Sequence, residues 1–130
     1  MADQAPDMSA QVANLLVPYR GQKPPAPDWF TRAVETPYET HFVSVGEVQI
    51  RYQTWGDRAK PGLLLSHGNG AHAHWYDFIA PALAEQDFVV AMTFSGMGDS
   101  GWREVYSLDG FSDEQIAVGE HAGLFDQGRK

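Results

Sequence analysis

The chain contains no cysteine, which excludes disulfide frameworks and thiolate metal sites. Basic residues are scarce as well: 9 Lys and Arg stand against 17 Asp and Glu, a formal net charge of −8. Phosphate-backbone recognition needs clustered Lys and Arg, so no nucleic-acid partner is expected. No apolar run approaches the roughly 20 residues that a membrane-spanning helix needs. The opening "MADQAPDMSAQ" has neither the basic nor the apolar region of a secretory signal. These absences predict a cytoplasmic protein without membrane contact. What remains is a globular composition, 43% hydrophobic and 20% charged over 130 residues, enough for one ordinary domain.

Residues 1–36 read as an N-terminal extension. "QVANLLVPYR" and "PDWFTRAVE" have the make-up of short helices, and the Pro-rich "GQKPPAPD" connects them. From residue 37 onward, through 130, the pattern is that of a folded core. "THFVSVGEVQIRYQTWG" alternates on both sides of Gly46-Glu47, which predicts a β-hairpin with one buried face. "LLLS" is too short for a helix and apolar on both faces, as a central strand should be. Trp75, Phe78, Ile79, Ala82 and Leu83 fall at helical spacing, with Pro81 in an early turn or at a kink. "FVVAMTF" predicts a second buried strand over 88–94. In "FSDEQIAVGEHAGLF", Ser112 and Gln115 fit a capping box, while Phe111, Val118, Ala122 and Phe125 form one stripe. Hairpin, strand, helix, strand, turn, helix is the opening of an α/β domain.

The chemistry concentrates in "LLLSHGNGAHAHWYDF", which holds three of the five histidines. His72 and His74, followed by Asp77, approach the H-x-H-x-D-H zinc signature of metallo-β-lactamase-like enzymes. The aspartate stands one place too far along, and Phe78 occupies the next histidine's position. A catalytic zinc also needs a third protein ligand, and His67, the remaining candidate, ends a buried strand. Solvated or hydrogen-bonded loop histidines are the better reading, so no metal is expected. Gly96-Met97-Gly98-Asp99-Ser100-Gly101 spells G-x-G-x-x-G after a strand, but "WREVYSLDG" is not the helix start that a dinucleotide fingerprint requires. No cofactor follows from it. His67-Gly68 carries a third reading. A Gly-rich turn leaving a buried parallel strand has unpaired N–H groups that can hold a developing oxyanion, or it is an ordinary strand-to-helix turn.

From His67-Gly68 through Trp75 and "PALAEQDFVVA" to "SGMGDS", the chain closely resembles the α/β-hydrolase superfamily. The resemblance covers 37–128 and rests on the order and spacing of these features. It departs at Thr93, where the family usually has aspartate, and at Met97, where histidine or phenylalanine is common. The implied fold is the N-terminal part of an α/β-hydrolase sheet, an antiparallel hairpin followed by parallel strands with crossover helices. The resemblance implies that the Asn69 backbone N–H is half of an oxyanion hole, with Gly68, Gly70 and Trp75 lining the substrate pocket.

The family's nucleophile elbow, G-x-S-x-G, does not occur in this sequence. Ser100 has Gly98 two places before it but Trp102 two places after, and it lies on the wrong turn. His67, His72, His74 and His121 all precede the place of any elbow. The expectation is half an active site acting on a small-molecule ester or related carbonyl. Nucleophile, acid and base would come from a C-terminal half, present as a second polypeptide that completes the sheet. Cleavage of one precursor near Gly128-Arg129-Lys130 would produce such a pair. Three alternatives stay open. Asn69 is also the leaving-group ligand of haloalkane dehalogenases, which keeps halide or epoxide chemistry in view. The others are a non-catalytic interaction module and a metal-dependent hydrolase built on His72 and His74.

Overall fold

In the computed structural model, which describes residues 17–126 and 128, a 3-10 turn (Val17–Tyr19) and helix α1 (Asp28–Val34) precede the sheet. The helix expected over 11–20 falls largely outside the described residues, as do residues 129 and 130. The alternating stretch forms β1 (Glu39–Val45) and β2 (Val48–Trp55), antiparallel and closed by Val45 opposite Val48. The two apolar runs form β3 (Gly62–Ser66) and β4 (Phe88–Met92), which pair in parallel from Gly62 opposite Phe88 to Ser66 opposite Met92. β4 also pairs antiparallel with β2, so the sheet order is β1-β2-β4-β3. A four-stranded mixed sheet with helices is the expected N-terminal part of the fold. Among the described residues β3 has a neighbour on one side only.

Period-2 alternation in β4 sends Phe88, Val90 and Met92 to one face and Val89 and Ala91 to the other. The first set packs with Ile50, Tyr52, Val118 of α3 (Leu108–His121) and Ala122, the residue that caps that helix. The second packs with Trp55, Ala73 and Ala80. Both faces of β4 are therefore covered, and full burial of a Phe or Ile stabilises by about 1.5–3 kcal/mol each.

Three local expectations are corrected. β2 is buried on both faces rather than one, including Arg51, Gln53 and Thr54, because Ala73, Asp77 and Ala80 cover Gln53 and Trp55 on the face opposite Ile50 and Tyr52. The segment expected to be one helix is a 3-10 turn (Ala73–Tyr76) followed by the short helix α2 (Ala80–Leu83). Pro81 stands in the first turn of α2, where its missing N–H costs nothing, but it cannot continue a helix begun upstream. α3 starts earlier than the Ser112–Gln115 box implies: Ser107 is its N-cap and accepts from the Gly110 N–H at 3.0 Å. The Gln115 amide instead donates to the Ser66 hydroxyl at 2.8 Å, tying α3 to the end of β3. The helix closes in a Schellman motif, with Gly123 at φ +78°, Gly123 N–H to Glu120 O and Leu124 N–H to Gly119 O. Phe125 lies beyond that stop and is exposed. Phe30 of α1 stacks on Phe78, centroids 5.9 Å apart, bringing part of the N-terminal extension onto the core.

Candidate functional site

β3 delivers the chain to His67, whose ring is buried and used at both nitrogens. Nε2 accepts from the Phe94 N–H at 3.0 Å, which leaves Nδ1 protonated and donating to Gly68 O at 2.7 Å. The imidazole thus fastens the exits of two parallel strands to each other and is not open to a metal. Beyond it Gly68, Asn69 and Gly70 are exposed. Asn69 makes no hydrogen bond to any described residue, through backbone or side chain. Its N–H is a donor without a protein acceptor, at the C-terminal end of a parallel strand where sites of open α/β sheets gather.

The 68–70 turn is a ridge between two clefts. One, of about 650 Å³, is bordered by Gly68, Asn69 and by Phe94, Met97, Trp102 and Phe111. The other, of about 500 Å³, runs past Gly68, Asn69, Gly70, Trp75 and Phe78. The residues expected at the pocket therefore separate. Gly68 and Asn69 face both clefts, whereas Gly70 and Trp75 line the second alone. The first cleft presents no charged side chain, so its walls favour an uncharged, largely apolar group.

Its far wall is held by a residue that the sequence reading missed. Glu114 on α3 is completely buried, and its carboxylate accepts from the Ser95 N–H at 3.0 Å, from the Ser95 hydroxyl and from Arg103 Nε at 2.8 Å. Arg103 in turn donates to Val45 O at 3.0 Å. One carboxylate thus fastens the turn after β4, the following loop and β1. A glutamate between Phe111 and Val118, inside the apolar stripe, was the available signal.

Ser100 is also structural. Its buried hydroxyl donates to Thr93 O at 2.6 Å and accepts from the Arg51 N–H at 2.9 Å. His74 Nδ1 lies 2.9 Å from Asp77 Oδ2, and the His72 ring meets His74 edge-on with centroids 5.6 Å apart. Among the described residues no three His, Asp or Glu side chains form a metal-holding group. At the other end of the sheet His41 stacks on Tyr52, and the Tyr52 hydroxyl is 2.6 Å from His121 Nδ1. Burial lowers the His41 pKa below 6.5, only partly offset by Glu39, and burial raises that of Tyr52 above 10.0.

No family model matches the sequence. Solved structures do. A thioesterase domain from the curacin biosynthetic pathway is 28% identical, with a TM-score of 0.64, over 72% of this chain and 36% of its own. A membrane phospholipase A described as a bacterial virulence factor is 30% identical at a TM-score of 0.57, over 88% of this chain and 36% of its own. A loop variant of haloalkane dehalogenase DbeA from Bradyrhizobium elkanii is 24% identical at 0.63, over 68% of this chain and 30% of its own. The chain thus spans between 30% and 36% of the length of these structures. No helix among the described residues is long and apolar enough to cross a membrane.

Proposed function

Because this chain folds as the N-terminal part of an α/β-hydrolase, we propose that its 68–70 turn serves nucleophilic hydrolysis of an ester or related carbonyl. In this reading the Asn69 N–H is one oxyanion donor, and a second donor lies beside a nucleophile supplied by a C-terminal half of the enzyme. That half also brings the acid and the catalytic histidine, and its nucleophile strand adds in parallel to the open side of β3. The single observation that carries the reading is the free Asn69 N–H at the mouth of two clefts. Such a donor stabilises charge only as it develops in the tetrahedral intermediate, which is what lowers the barrier.

A second reading is favoured by the Asn69 side chain, which is also exposed and unbonded. In a dehalogenase or epoxide hydrolase of this fold it would hold the leaving group. Substitution separates the two. With the C-terminal half present, Asn69→Ala should leave ester hydrolysis nearly intact, while Asn69→Pro, which removes the N–H, should lower kcat about 10²–10³-fold. A comparable loss in Asn69→Ala, at unchanged thermal stability, would transfer the role to the side chain.

A further inference from the structure

We propose that a third, smaller cavity on the opposite side of the "GMGDS" turn binds a small oxyanion, a phosphate or a carboxylate group. It measures about 160 Å³ and is lined by Arg51, His72, His74, Thr93, Gly98 and Asp99. Arg51 is the charged group of this cavity that is buried. It is only 7% exposed, yet its guanidinium meets neutral partners, Gln53 Oε1 at 2.7 Å and Thr40 Oγ1 at 3.4 Å. The nearest carboxylate is Asp99, 3.9 Å from Nε and itself 73% exposed. Asp77, on the same side of the sheet, is taken up by Gln53 and His74. A buried guanidinium with five donors, two neutral hydrogen-bond partners and one long ion pair to an exposed carboxylate is an expensive arrangement that a bound oxyanion relieves.

The other walls carry unused polar atoms as well. The Thr93 hydroxyl oxygen accepts from the Ala73 N–H at 3.0 Å, and its own proton has no acceptor among the described residues. His72 Nδ1 is buried without a hydrogen-bond partner. His74 adds the second ring. The close wall is Gly98, at φ +47°, where a Cβ would stand 3.0 Å from both His72 Cβ and Thr93 Cγ2. The glycine is required there for shape and conformation together.

The test is a titration of the chain with sodium phosphate and, separately, sodium acetate at constant ionic strength. It is followed by NMR at the His72 and His74 ring protons and the Gly98 amide, with chloride as the reference. Saturable shifts at these three positions with either oxyanion are expected, and the tighter of the two identifies the group. Arg51→Gln should weaken binding about tenfold or more, the loss of a charge-assisted fork. Should that variant fail to fold, Asp99→Asn decides the matter. Removing this exposed competing charge should tighten binding about threefold or more. Equal response to chloride, no saturable shift, or unchanged or weaker affinity in Asp99→Asn would overturn the proposal.

Discussion

Glu114 carries a formal charge into the apolar face of α3, and its cost is met only because three donors converge on one carboxylate. Truncating it removes the acceptor of the Arg103 Nε and of two buried Ser95 donors. Glu114→Ala should therefore cost about 3–5 kcal/mol in urea-induced unfolding, the range for breaking a buried pair. Removing both charges with apolar residues of similar volume, Glu114→Leu with Arg103→Met, should recover part of that loss. A double variant no more stable than Glu114→Ala would show that the ion pair is not what the site depends on. The same residue shows how far the sequence could be read. Its position inside the Phe111–Val118 stripe signals a buried carboxylate, but nothing local says that Ser95 and Arg103 will meet it.

At the scale of elements, β3 and β4 read alike in the sequence and differ in the fold. β4 is buried along its whole length, whereas every residue of β3 is half-buried, since the sheet continues on one side of it only. A parallel strand with an open side leaves alternate N–H and C=O groups unpaired, and "GLLLS" has no Lys or Pro to blunt that edge. Amide hydrogen exchange should separate the two strands. Val89, Val90 and Ala91 should exchange only on global unfolding, while the outward-facing amides of 63–65 exchange by a faster local route. Addition of a C-terminal half should slow those amides to the rate of β4. Full protection of β3 in a monomeric chain by itself would remove the support for a strand docking there.

Across the whole molecule, the groups that the proposed hydrolysis needs are unevenly present. The unbonded Asn69 N–H and two clefts are in place, yet no described serine is hydrogen-bonded to a histidine. The five histidines are bonded or packed elsewhere: His41 against Tyr52 and Thr54, His67 to Phe94 and Gly68, His74 to Asp77, His121 to Tyr52, and His72 edge-on to His74. Without a base to take its proton, a hydroxyl is a poor nucleophile at neutral pH. The chain alone should thus hydrolyse a p-nitrophenyl ester no faster than buffer, with activity appearing on addition of a C-terminal half. A stoichiometric burst from the single chain would sink this division of labour. The sequence by itself determined the hairpin, the two apolar strands and the His67-Gly68 turn, because period-2 alternation, short apolar runs and glycine placement are local signals. Only the tertiary structure decided that β4 enters between β2 and β3, that His67 is locked at both nitrogens, and that Arg51 is buried beside His72 and Thr93. Each of these depends on which distant residues meet, and hydrophobic patterning names the faces that will be buried without naming their partners.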